Sequence, residues 1–154
     1  WVKKINFIPV SISYEYDPLD ITKASGWDLQ EEMSLEEINE NDLHELATGL
    51  FSNKGRVHLH ICEPVNYEGN DIEELSRIIE HEILLNYKIW PTSHIAAKEL
   101  SNEGYDFNIF DENLIDSNQE TKFLNRFNGI EEHIRRECLE TYVRPMVNKK
   151  KARS

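Results

Sequence analysis

Positive charge is scarce in this chain. Lysine and arginine number 17 against 29 aspartates and glutamates, a formal net charge of −12. Nucleic-acid backbones are bound through clustered cations, so this balance argues against a nucleic-acid partner. One basic cluster exists, Lys149-Lys150-Lys151-Ala152-Arg153 at the C-terminus, and without it the body stands near −16, which an anionic bilayer repels. A short basic stretch contributes about 1 kcal/mol per charge at such a surface, too little to anchor the chain alone. The stretch therefore reads as a solvated tail, 148–154, and any membrane contact as local.

Cysteine is equally sparse. Cys62 and Cys138 stand far apart and at no metal-ligand spacing, which fits buried thiols in a reducing compartment better than a disulfide. Long apolar runs are missing too: nothing reaches the roughly eighteen residues of a membrane span, and no signal-peptide pattern is present. Composition thus predicts a soluble, cytoplasmic chain. At 154 residues, 39% apolar and 30% charged, it is of single-domain size with a modest core.

What is present starts with a strand in the stretch from Ile5 to Pro18. Ile8, Val10, Ile12 and Tyr14 alternate with Ser11 and Ser13, and the aromatic and β-branched residues suit a packed, pleated surface. Pro9 offers no ladder donor and belongs at an edge, a strand start or a junction. A turn follows at Tyr16-Asp17-Pro18, then a connection, Asp20 to Trp27, with room for a short helix. Ser34 and Glu37 form a capping-box pattern for an amphipathic helix ending at Gly49, suggested by the helical spacing of Leu43, Leu46, Ala47 and Leu50. Its acidic residues, Glu31, Glu32, Glu36, Glu37, Glu40, Asp42 and Glu45, read as a solvated face; only His44 joins them at ligand spacing.

Arg56 to Cys62 alternates as a second strand. Val57, Leu59 and Ile61 take one face, His58 and His60 the other, where a metal pair or proton relay is geometrically open but lacks a third ligand. Asn70 or Asp71 caps a helix to about Tyr87, with Ile72, Leu75, Ile78, Ile79 and Ile83 as its buried stripe. Trp90-Pro91 stops it, and Ser93 caps a short helix from His94 to Leu100. Tyr87, Trp90 and Ile95 form an aromatic–apolar group, either core or the lining of an acyl channel. Residues 101–117 read as a loop pinned by Tyr105, Phe107, Ile109 and Phe110. Phe123, Phe127, Ile130, Ile134, Cys138 and Tyr142 then mark one long helix over 118–147, its pattern ending before Pro145 and weakened at Gly129.

Three stretches carry a resemblance. Ile8-Pro9-Val10-Ser11-Ile12-Ser13-Tyr14-Glu15-Tyr16-Asp17-Pro18, then Thr48 to His58, then Asn86 to Ala96, taken in order, resemble the later part of the bacterial 1-acyl-glycerol-3-phosphate acyltransferase (glycerolipid acyltransferase) family. The resemblance covers residues 1–100. It implies an α/β fold, part of an acyltransferase domain, with a small sheet of at least two strands packed by about four helices. It also implies transfer of a fatty acyl group from coenzyme A or acyl-carrier protein to a lysophospholipid in phospholipid biosynthesis. No further cofactor is implied, and the enzyme would be peripheral at the inner membrane surface. Ile8, Pro9 and Val10 match the family's proline strand and would shape the substrate pocket.

The family's reactive groups do not match. A His with an Asp five positions on is missing, since the residues at that offset are Gly49, Glu63, Val65, Asn86, Glu99 and Cys138. The phosphate-binding Glu-Gly-Thr is missing too: Glu68-Gly69 and Glu103-Gly104 continue with Asn70 and Tyr105. His58 with Glu63 and His94 with Glu99 only imitate the catalytic spacing. Both missing blocks precede the proline strand in the family, and the chain opens on Trp1. The expectation is therefore the C-terminal part of a longer enzyme, with no catalytic residue here, and with an exposed apolar patch where the remainder packs. Related families acylate ornithine-type aminolipids, and a non-catalytic acidic interaction module stays open beside both.

Overall fold

The computed structural model describes residues 6–26 and 35–154, with the side chains of 35–41 and 44 outside the description. Along the chain run β1 (Val10–Tyr14), α1 (Asp20–Gly26), α2 (Leu35–Phe51), β2 (Val57–Ile61), α3 (Ile72–Asn86), α4 (Pro91–Asn102), α5 (Ser117–Leu124) and α6 (Glu132–Ala152). Short 3-10 turns lie at Glu112–Leu114 and Asn125–Phe127. The class is mixed α/β, with six α-helices among the described residues where the sequence suggested about four. Ser34, and with it half of the expected capping box, lies outside the described residues, as does most of the acidic run before Asp42.

The core is helical. Ile95, Ala97 and Leu100 of α4 meet Leu139, Tyr142, Val143 and Met146 of α6, and Phe123 and Phe127 close the cluster. Phe123 stands edge-on to both Phe127 and Tyr142, with ring centroids 5.3 and 4.9 Å apart, an arrangement aromatic quadrupoles favour. Phe107, Ile109 and Phe110 of the 101–117 stretch pack against this core, so the aromatics do pin it. The stretch is only partly loop, since α4 runs on to Asn102 and α5 starts at Ser117.

The single helix expected over 118–147 is two. Gly129 takes φ +80 and the chain is extended at Asn128, a left-handed step that ends one helix before the next starts. The buried face still continues, because the 3-10 turn keeps Phe127 inward. Pro145 lies inside α6, not beyond its end. It removes the donor for the Thr141 carbonyl, a loss of about 3 kcal/mol, but Tyr142, Val143 and Met146 are buried on both sides of it and hold the helix in register. The expected solvated tail is consequently the last turn of α6. Lys149 donates to the Tyr87 carbonyl at 2.6 Å and His81 Nε2 lies 3.0 Å from the Ala152 carbonyl, so α3 grips that end.

Other boundaries shift for local reasons. Asp71 caps α3 by accepting from the Glu73 and Glu74 N–H groups, as its position suggests. Of the expected stripe only Leu75 is buried; Ile72 is 68% exposed. α4 begins at Pro91 with Trp90 as its cap residue and without a side-chain cap bond, so Ser93 is not the cap. Proline suits a first helical position, where its missing N–H costs nothing. Gly49 lies within α2, which runs on to Phe51, and Leu43, Leu46 and Leu50 on it are exposed.

β1 and β2 form an antiparallel pair, Val10 opposite Ile61 and Tyr14 opposite Val57. The alternation is as expected and its direction is reversed. Ser11 and Ser13 are fully buried, while Ile8, Val10, Ile12, Tyr14, Val57, Leu59 and Ile61 stand 38–65% exposed. Coverage of the serine face by α3 decides this. Ile12→Thr, which keeps a β-branched side chain on the exposed face, should change the unfolding free energy in urea by no more than about 0.5 kcal/mol. Leu139→Ala in the core lowers it by about 2–5 kcal/mol. A loss above about 2 kcal/mol for Ile12→Thr would mean that its face is covered in the folded chain.

Candidate functional site

The proline segment opens the ribbon. Pro9 is buried just before β1, and its carbonyl accepts the Cys62 N–H at 2.9 Å. Two residues earlier the Phe7 carbonyl accepts the Val65 N–H at 2.8 Å. Only Ile8 separates Phe7 from Pro9, whereas Glu63 and Pro64 separate Cys62 from Val65. The extra residue makes a bulge in which neither proline has to donate to the ladder. Pro9 is thus at a strand start, and Ile8 and Val10 on either side of it point outward, 53% and 40% exposed. The structure brings these three residues together at one end of the apolar face.

Small side chains let the other face lie close to the helices. Ser11 Oγ donates to the Ile83 carbonyl of α3 at 3.0 Å. Ser13 Oγ is buried without a partner. Cys62 continues the same side, with its Sγ 3.6 Å from the Asn86 amide nitrogen. His58 and His60 also share this face, rings 6.3 Å apart and nearly parallel, but no group of three or more His, Cys, Asp or Glu converges among the described residues.

The far end of the ribbon is clamped. Glu15 receives the Arg56 backbone N–H at 2.9 Å and its guanidinium at 3.0 and 2.8 Å. The Arg56 guanidinium also lies 5.0 Å over the buried Trp90 ring. Thr92 of α4 donates to the Glu15 carbonyl at 2.8 Å. Gly55 makes this approach possible: its φ is +63, and a Cβ there would meet the Tyr16 ring at 2.6 Å and the Glu15 carboxylate at 2.8 Å. Hydrogen bonding from Arg56 holds the Glu15 carboxyl below its ordinary value.

Beyond Tyr16 a buried polar knot ties the turn to the helices. Tyr142 donates to Asp20 Oδ2 and accepts from the Asp17 N–H, each at 2.8 Å. Arg126 donates to the same Asp20 oxygen at 2.6 Å and lies 5.0 Å over the Tyr16 ring. Burial raises the Tyr142 phenol and pushes the neighbouring Cys138 thiol up to about 12, so neither is a nucleophile at neutral pH. Tyr14 also opens onto a cavity of about 160 Å³ shared with Asp17, Tyr87, Ser93 and Tyr142. That volume suits a small polar group rather than an acyl chain.

His94 and Glu99 each have other partners. Glu99 binds Arg135 at 2.5 Å, and His94 Nδ1 accepts the Asp111 N–H at 3.0 Å. Tyr87, Trp90 and Ile95 divide: Trp90 and Ile95 are buried and Tyr87 is half-buried. Sequence pattern missed the knot, because Asp17, Asp20, Arg126 and Tyr142 are distant in the chain. The arrangement leaves an apolar face of the ribbon exposed, while Cys138 and Tyr142 are held protonated in the core. No helix of the described residues is long and apolar enough to cross a membrane.

Comparison with protein-family models, curated proteins and solved structures finds no match to the chain.

Two titrations follow from this geometry. Glu15 has a lowered folded value, so its pairing stabilises the fold above the ordinary carboxylate range and is lost as pH falls through that value. Arg56→Gln should therefore flatten the acid limb of unfolding free energy against pH; an unchanged limb would contradict the pairing. Burial lowers His94, so protons bind preferentially to the unfolded chain and stability declines as pH drops below about 6.5. His94→Asn, which keeps an acceptor for the Asp111 N–H, should remove that decline, and an unaltered profile would contradict a buried neutral ring.

Proposed function

We propose that the chain is the C-terminal part of a glycerolipid acyltransferase, which moves a fatty acyl group from a coenzyme A or carrier-protein thioester to a lysophospholipid. The observation that carries this reading is the uncovered apolar face of the ribbon, with Ile8, Pro9 and Val10 at its end. Seven apolar side chains there present on the order of 500 Å², the upper end of what a monomer leaves to water. Such a face suits an alkyl chain, or the polypeptide that would complete a cleft around one. In this reading Ile8 and Val10 contact the acyl chain, while the buried Pro9 fixes the angle at which the segment enters the sheet.

The reacting groups in this reading lie on polypeptide outside the 154 residues. A His would act as general base on the acceptor hydroxyl, oriented by an Asp five positions on. The same exposed face also favours a second reading, a non-catalytic module whose ribbon docks another protein.

The test has two arms. The purified chain should release no coenzyme A from a long-chain acyl thioester in the presence of 1-acylglycerol-3-phosphate, and turnover would overturn the assignment of the chemistry elsewhere. The chain should bind a fluorescent long-chain acyl thioester saturably, and Val10→Asp should weaken that binding about tenfold, because burying a carboxylate against an alkyl chain is unfavourable. Binding that Val10→Asp leaves unchanged would remove Ile8, Pro9 and Val10 from the substrate wall and favour the docking module.

A further inference from the structure

We propose that the cavity at the C-terminal end of α6 binds a phosphate monoester carried on an apolar group. This site lies between α4, α6 and the segments that carry Ile89 and Ile109, and it does not rest on the acyltransferase reading. The cavity measures about 220 Å³. Its cationic lining is Lys149, Lys150 and Arg153, its one imidazole is His94, and its apolar lining is Ile89, Ile109 and Met146.

Charge is the first argument. Three cations converge on one cavity although the chain as a whole carries a net charge of −12. Among the described residues Lys149, Lys150 and Arg153 form no ion pair. Nor are these side chains needed to cap the helix, since the Lys150 and Lys151 carbonyls accept the N–H groups of Arg153 and Ser154. Lys149 is fixed by its bond to the Tyr87 carbonyl, which leaves two N–H donors free. Burial and the charge of Arg153 hold its ammonium below the ordinary lysine value, a repulsion that an anion between the two would relieve.

Donor geometry is the second argument. The Asp111 N–H occupies His94 Nδ1, so the neutral ring carries its proton on Nε2 and can only donate there. A lysine ammonium, a second lysine, a guanidinium fork and an imidazole N–H match the several acceptor oxygens of a phosphate dianion better than the two of a carboxylate. Ile89, Ile109 and Met146 supply a dry side for the group that the phosphate carries.

Hexyl phosphate titrated into the full chain at physiological salt, followed by calorimetry and the His94 imidazole resonance, tests this. Saturable binding is expected, weaker by about tenfold in Lys149→Gln/Arg153→Gln and unchanged in Arg77→Gln, which lies outside the cavity. Lys150→Gln, at an exposed position that cannot disturb folding, should weaken it as well. Phosphatidylcholine vesicles with and without phosphatidic acid separate the sources. Pelleting with phosphatidic acid assigns a lipid headgroup, and no pelleting with hexyl phosphate binding intact assigns a soluble monoester. No saturable binding, inorganic phosphate binding as tightly as hexyl phosphate, or affinity untouched by the double variant would overturn the proposal.

Discussion

The inward turn of two serines governs the arrangement of this molecule. A two-stranded ribbon has one face to bury, and α3 approaches it closely enough for Ser11 to donate to a helix carbonyl. A larger apolar residue at Ser11 or Ser13 would push α3 away from the strand backbone. With the small face spent on helices, the isoleucines, valines and leucine of the same strands are left outward. Burial normally runs the other way, so the exposed face is the informative feature of the fold.

Rigidity at both ends keeps that face flat and fixed. At one end the bulge around Pro9 and Pro64 ends the ladder. At the other, Glu15, Arg56 and Thr92 lock that end of the strand pair to the start of α4, and Tyr142 and Arg126 hold the following turn through Asp20. The helical core beneath needs nothing from the apolar side of the ribbon. Ile95, Leu100, Leu139 and Val143 bury one another completely. The chain therefore combines a self-sufficient helical layer with a strand pair that it supports without covering.

Periodicity revealed elements more reliably than surroundings. The alternation from Ile8 to Tyr14 and from Val57 to Ile61 located both strands, and of the run from Phe123 to Tyr142 the residues Phe123, Phe127, Cys138 and Tyr142 are core, with Ile134 packed at its margin. Which face turns inward was not legible, because period two says only that two faces differ; apolarity pointed to the wrong one since the covering helix is contributed by residues sixty positions away. The break at Asn128-Gly129 was hidden for a related reason: a 3-10 turn preserves the spacing of buried residues across it. Pro145 misled because tertiary packing of Val143 and Met146 outweighs a local helix penalty. The basic stretch looked solvated, and only the fold brings Lys149 and Arg153 to the cavity beside His94.

On this account the ribbon is a supported surface awaiting contact, and the proposed acyl-binding role depends on that surface being open. Methyl-resolved NMR with a soluble paramagnetic relaxation agent measures the openness directly. The account predicts strong broadening of the Ile8, Val10, Ile12, Leu59 and Ile61 methyls, with those of Ile95, Leu100, Leu139 and Val143 protected. Ile12 and Leu59 methyls as protected as that of Ile95 would contradict it.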